Sequence, residues 1–453
     1  MEIMIEHLLA REEGKTLEFK ENSQSLHRIV QTVIAFANTA GGTLLLGIKD
    51  ATKEVIGLKN ILEDELRIAN AIAASVSPLL VPNFQFSSWR HRDVLIITIP
   101  HSLGPYFLTS KGEKEGAFIR FGSTNRFADA HTLAEIKRLK DHTAFDQLPD
   151  CSLTAEALDL DLAHRLFENA GKSFTKGSAR SLELLVDYQS KQYPSKGGLL
   201  LFGKNREELF PDPLVRLARF EGTSKNAILD HLDLKSPLPI ALDEILMFIR
   251  RNTSTRAIIQ DIHREEIPQY QPVVLREAVL NALTHADYSN RHSPIHIAIF
   301  DDRLEITNPG SLPFGLSLEV ALTGVSQLRN KVLGRSFREL KLTDQWGSGL
   351  NRMIHVCQQN NIMPPKFEEL GQFFRVTLYP KSVPLPATSW HVPIIEYIQK
   401  EGSISAKVAQ QIWQISRRSA TNRLQEMCAQ GLLVEMSTAP RDPYKTFILT
   451  TRG

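Results

Sequence analysis

Residues 275–285, Leu275-Arg276-Glu277-Ala278-Val279-Leu280-Asn281-Ala282-Leu283-Thr284-His285, constrain this chain more than any other stretch. Their composition predicts a helix, and Glu277, Asn281 and His285, each four residues apart, share one of its faces beside an apolar stripe. Taken alone, such a stripe reads as the wet side of an amphipathic helix. The residues beyond His285 argue otherwise. Asp287-Tyr288 comes next, then predicted strands at 295–300 and 303–307, then Asn308-Pro309-Gly310, then Trp346-Gly347-Ser348-Gly349-Leu350, and a last strand at 374–379. Read alone, Asn308-Pro309-Gly310 is a turn between strands. The polar stripe, the turn and the glycine pair, in this order, ask for one common explanation.

This order of motifs resembles the GHKL ATPase superfamily of gyrases and histidine kinases, in its RecG-like form attached to Schlafen AlbA-like domains in bacterial regulators. The resemblance covers about residues 270–380 and implies an α/β sandwich that binds ATP with Mg²⁺ or Mn²⁺. It casts Asn281 as the metal ligand and Glu277 as the general base, consistent with the oxygen preference of a hard cation and with a carboxylate one turn away polarising water. His285 shares that face. Gly347, Ser348 and Gly349 match the glycine box, where backbone N–H groups at a helix start receive phosphate oxygens. Residues 311–345 would form the lid, with Ser326, Arg329 and Asn330 as its polar contacts. Asn308, followed by Gly310, stands where classical members place an Asp, so the group that meets the base carries a donor as well as an acceptor.

The rest of the chain must accommodate more than this unit. Its 453 residues suggest about three domains. With 53 Lys and Arg against 51 Asp and Glu the net charge is +2, which excludes a uniformly basic coat but not a local basic patch. Cys151, Cys357 and Cys428 are too few and too scattered for a disulfide framework or a zinc motif, and a reducing compartment is expected. No apolar run approaches the roughly 20 residues of a membrane span, and Glu2 and Glu6 stand where a signal peptide would be basic. A cytoplasmic protein without a membrane partner is expected.

Residues 1–140 read as an α/β unit: a helix at 26–37, a Gly41-Gly42 stop, a buried strand at 43–48, strands at 94–99 and 117–120, and a helix at 131–140. Leu17-Glu18-Phe19-Lys20, Ala35-Phe36-Ala37-Asn38-Thr39-Ala40-Gly41-Gly42, Leu46-Gly47-Ile48-Lys49-Asp50 and Phe118-Ile119-Arg120-Phe121-Gly122-Ser123-Thr124-Asn125 together resemble the Schlafen AlbA-2 domain. That resemblance implies either a nuclease or a binding module. In the first case Glu13, Glu18 and Asp50 would hold a divalent metal, with Lys20 offsetting phosphate charge. In both, Arg28, Lys114, Arg120 and Arg126 would contact phosphates.

Residues 150–265 read as a helical and mixed connecting domain, with helices at 161–169 and 181–188, a strand at 198–202, and a long helical run from about 240 to Pro272. Gly198 to Lys204 nearly spells a phosphate loop, but Asn205 replaces the required hydroxyl. Without a complete P-loop no helicase motor is expected. After a proline-stiffened linker at 381–386, residues 387–453 resemble a winged helix-turn-helix, with helices at 392–399 and 405–413, a third from 416, and a hairpin turning at 439–444. From Lys381 onward nine Lys and Arg face five Asp and Glu. Ser416, Arg417, Arg418, Thr421 and Asn422 would open the recognition helix.

The expectation is a multidomain α/β protein acting as an ATP-responsive, DNA-binding transcriptional regulator. The alternative is an ATP-gated, metal-dependent Schlafen-type nuclease acting on RNA or DNA, with phage defence as its setting. The GHKL resemblance also implies a homo-oligomer.

Overall fold

The computed structural model describes residues 2–50, 52–253, 255–260, 263–290, 293–343, 349–360, 362–381, 390–429, 432–436 and 445–449. The protein is a mixed α/β molecule that divides into two compact units, one of residues 1–133 and 386–453, the other of residues 134–385.

In the first unit, four strands align in the order Leu17–Lys20, Gly42–Leu46, Arg92–Ile99, Asn83–Trp89. The first pair is parallel and the others antiparallel. A parallel pair needs a crossover, which the Leu26–Thr39 helix supplies. Alternation along Gly42–Leu46 sends Leu44 and Leu46 toward that helix, against Val33 and Phe36, and Leu45 toward Ile5 and Phe19 on the other face. The sheet is therefore buried on both sides. Gly41 ends the helix at φ +72°, where a side chain would also sit 2.8 Å from the Ile99 carbonyl oxygen. The Ile61–Ser75 helix and the Asn83–Trp89 strand were not legible in the sequence.

The C-terminal stretch of the same unit has a core of its own, with Ile394, Ile398, Ala409, Leu424, Met427 and Phe447. It contains helices Val392–Glu401, Ala406–Trp413 and Arg417–Ala429 and a three-stranded antiparallel sheet. The expected turn at 439–444 lies outside the described residues.

The second unit corrects the expected boundary at residue 265. Strands Ile228–Leu234 and Val215–Phe220 join Ile295–Ile299, Leu304–Pro309, Phe373–Leu378 and Lys366–Leu370 in one six-stranded sheet. Val215–Phe220 runs parallel to Ile295–Ile299, and every other neighbouring pair is antiparallel. One core runs from Leu158 through Leu217, Leu242 and Val279 to Leu378. Three local expectations also change. Residues 198–202 belong to the buried helix Lys196–Phe202, not a strand. The Ser195 hydroxyl caps that helix by accepting from the Gly198 N–H at 2.9 Å. The expected helix at 181–188 stops at Ser181 and becomes the strand Leu185–Tyr188, with Glu183 left-handed at φ +57° between them. The helical run from 240 ends at Arg251, and strands Thr255–Gln260 and His263–Pro268 pair before the next helix.

Candidate functional site

The Pro272–His285 helix forms where the sequence places it, with Pro272 in its first turn, where a missing N–H costs nothing. Its apolar stripe, including Val274, Ala278 and Leu283, enters the core. Its polar stripe turns to a cavity of about 330 Å³ inside the second unit. Glu277 and Asn281 line it, one turn apart, and the Asn281 amide nitrogen donates to Glu277 Oε1 at 3.2 Å. The Asn281 amide oxygen, the hard donor that suits a divalent cation, is not used in that bond. Gly349 begins the Gly349–Gln359 helix directly against the pair. A Cβ there would lie 2.3 Å from Glu277 Oε1 and 3.0 Å from the Asn281 amide nitrogen.

His285, Asn308 and Ser326 also line this cavity. Burial and the nearby Arg329 guanidinium push the His285 imidazole down to about 4, so it is neutral at pH 7. Asn308 is 4% exposed, and its amide nitrogen has a long 3.4 Å contact with the Pro309 carbonyl. The other expected contacts stand apart from the lining. Gly310, at φ +91°, donates its N–H to the Gln372 carbonyl at 2.7 Å. Arg329 pairs with Glu135 and donates to the Ser311 carbonyl at 2.7 Å. Asn330 is buried, its amide nitrogen donating to the carbonyls of Thr284 and Ala286, both at 2.8 Å. As placed, Asn330 braces the end of the helix, and Arg329 ties Glu135 to the chain at Ser311. Gly347 and Ser348 lie outside the described residues.

Two arginines that spacing did not single out, Arg338 and Arg352, line the same cavity, as do Leu312, Leu316, Phe374 and Val376. Glu277 is the lone acid among the described lining residues. A cavity with an apolar wall, two guanidiniums and one carboxylate–amide pair suits a ligand that is part flat heterocycle and part anion.

In the first unit Glu13 and Asp50 meet. Their side chains share a hydrogen bond, and Glu13 Oε1 accepts from the Phe19 N–H at 2.6 Å. Burial, opposed by that N–H and reinforced by Asp50 and Glu18, raises the Glu13 carboxyl to about 7. Glu18 takes a different part. It is 5% exposed and pairs with Arg120 through one oxygen and Lys20 through the other. Arg120, expected as a phosphate contact, is instead 4% exposed. Its guanidinium donates to the Gly14 carbonyl and, at 2.9 Å, to the Asn125 side-chain oxygen, and lies 4.9 Å from the centre of the Phe36 ring. Among the described residues no three His, Cys, Asp or Glu side chains are grouped to hold a metal ion. The donor set therefore fits the implied three-carboxylate metal site poorly, with Glu18 committed to two cations. Arg28, Lys114 and Arg126 remain exposed.

Two family models match the chain. Residues 13–129 match the family described as "Schlafen, AlbA_2", and residues 292–378 match "Putative ATP-dependent DNA helicase recG C-terminal". The two matches cover separate stretches of one chain. The ATPase-like match begins after the helix that carries Glu277. Among solved structures, the chain is similar to the DIP2311 protein from Corynebacterium diphtheriae. The two are 20% identical over 96% of this chain and 92% of that one, with a TM-score of 0.46. It is also similar to the N-terminal domain of a "Putative ATP-dependent DNA Helicase RecG-related Protein" from Nitrosomonas europaea. That likeness is 24% identical over 28% of this chain and 90% of that one, with a TM-score of 0.23.

Outside the two matched stretches, the Arg417–Ala429 helix presents Arg417, Arg418 and Asn422 to solvent. The hydroxyl of Ser416 is taken by Ser419, whose N–H donates to it at 3.2 Å, and Thr421 donates to the Arg417 carbonyl at 2.9 Å. No described helix is long and apolar enough to cross a membrane.

Proposed function

We propose that this protein is a nucleotide-responsive, DNA-binding transcriptional regulator. The observation that carries this reading is the Glu277–Asn281 pair, set in a cavity that Arg338, Arg352 and an apolar wall also line. ATP with Mg²⁺ fits that cavity. Asn281 would hold the metal through its amide oxygen, Arg338 and Arg352 would face the phosphates, and the Leu312–Leu316 side would cover the base. Bound there, the metal would neutralise phosphate charge. Glu277 would orient a water. The closure of Gly349 on the pair leaves no room for a side chain at that point.

Nucleic-acid contact is assigned to the C-terminal helices, read as a winged helix-turn-helix with exposed Arg417 and Arg418 at the start of the third. A homo-oligomer is part of this reading, on the GHKL resemblance alone. The commitment of Glu18 to Arg120 and Lys20 weighs against the nuclease alternative.

Calorimetric titration tests the nucleotide half. Asn281→Ala should weaken Mg-dependent ATP binding at least tenfold, and unchanged affinity would remove the assignment. For the DNA half, a gel shift with Arg417→Ala/Arg418→Ala should show at least tenfold weaker binding and a shallower salt dependence. Labelled RNA and DNA incubated with Mn²⁺ separate the alternative: cleavage by wild type that Glu13→Gln abolishes would make the protein a nuclease.

A further inference from the structure

The 134–385 unit holds a second cavity, of about 400 Å³, whose lining shares only Arg338 with the first. The Lys331–Glu339 helix contributes to both. Gly334 and Arg338, one turn apart, line the first cavity, and Arg335, Arg338 and Glu339 line the second. Opposite that helix the second cavity takes Lys172 and Ser173 from the turn after the Leu160–Asn169 helix. Buried Phe167 and Leu182 supply an apolar wall.

The charges around this hollow do not cancel. Glu339 is the one acid among the lining residues and is paired with Lys172, while Arg335 is paired with Glu183 at 2.5 Å. Arg338 has no ion pair among the described residues. Neither has Lys341, whose ammonium lies 3.8 Å from the point where Gly171 would carry a Cβ, beside Lys172. The Ser173 hydroxyl also has no hydrogen bond among the described residues. Cations spread over a convex surface are satisfied by water, but cations that converge on a concavity focus its positive potential. Two uncompensated cations match a dianion, and a guanidinium, an ammonium and a hydroxyl are donors that suit phosphate. The apolar wall suits a carbon body, and the volume suits a small metabolite.

We infer that this cavity is a second, regulatory site for a small organic phosphate, which draws Arg338 away from the nucleotide cavity when it binds. The site stands apart from the nucleotide reading above, and only its coupling rests on that reading. Phenyl phosphate titrated calorimetrically into the full chain should bind at one site, more tightly than inorganic phosphate. Lys172→Met should weaken it about tenfold. Lys172 and Glu339 are 39% and 40% exposed, so losing their pair should leave the melting temperature near that of wild type. Arg352→Ala, which alters the first cavity alone, should bind phenyl phosphate as wild type does. Saturating phenyl phosphate should weaken MgATP about fivefold in wild type and leave it unchanged in Lys172→Met.

Absence of phenyl phosphate binding, equal binding of inorganic phosphate, or full binding by Lys172→Met would overturn the site. Loss of binding in Arg352→Ala would do the same by placing the ligand in the first cavity. MgATP affinity indifferent to phenyl phosphate would overturn the coupling. Absence of MgATP binding would end the nucleotide reading and the coupling together, with the phenyl phosphate titrations still deciding the site.

Discussion

Glu13 departs strongly from the ordinary behaviour of a carboxyl group. Burial raises its carboxyl to about 7, and Asp50 and Glu18 add to the shift. Between about pH 4.5 and 7 the folded domain therefore holds a proton that the unfolded chain has released. The resulting stabilisation is present at low pH and lost as pH rises through 7. Glu13→Gln keeps a hydrogen-bonding side chain and removes the titration, so its melting temperature should vary less between about pH 5 and 8 than that of wild type. Equal slopes in thermal melts of the two proteins would refute the shared-proton account. Arg120 is the complementary case. Arg120→Ala would strand the buried Glu18 carboxylate, with Lys20 its remaining cation, and should cost about 3–5 kcal/mol in urea unfolding.

At the level of elements, Asp146 shows how a helix start is decided far from its own sequence. The Lys331–Glu339 helix begins without a side-chain cap from its adjoining Asn330, which is occupied elsewhere. Fully buried Asp146 takes that place, accepting from the N–H groups of Lys331 and Leu333, both at 3.0 Å. Asp146→Ala leaves two donors unpaired and should destabilise the 134–385 unit by about 2–3 kcal/mol in urea. Asp146→Asn, which keeps one acceptor, should cost less. The Lys196–Phe202 helix makes a related point. A short apolar run has no periodicity that separates strand from helix. The Ser195 cap and the approach of Gly198 to within 2.5 Å of the Leu184 carbonyl oxygen, measured from a hypothetical Cβ, settle it as a packed helix.

For the whole molecule, two units with separate cores should unfold as separate transitions. Scanning calorimetry of the full chain should resolve more than one, and MgATP should raise the transition of the 134–385 unit. At about one hundred times the dissociation constant the gain is about 2.7 kcal/mol. Asn281→Ala should abolish that shift. A single transition, or one that MgATP leaves unmoved, would contradict the assignment of the nucleotide cavity to that unit.

The sequence by itself determined what short-range pattern can carry. Spacing of four put Glu277, Asn281 and His285 on one face, and that face does line the cavity. Glycine chemistry located the turn at Gly41-Gly42, and apolar runs located the strands at 94–99, 295–300 and 374–379. These depend on residues a few positions apart, where periodicity and turn preference act directly. The tertiary structure decided whatever depends on partners far along the chain. It joined residues 215–234 to the sheet that also contains residues 295–378, erasing the expected boundary at 265. It withdrew Arg120 from the surface to meet Glu18, 102 residues away. It also buried the Thr284 hydroxyl without a partner among the described residues. Each outcome depends on which buried polar groups find partners once the core closes, and that pairing leaves no periodic trace in the sequence.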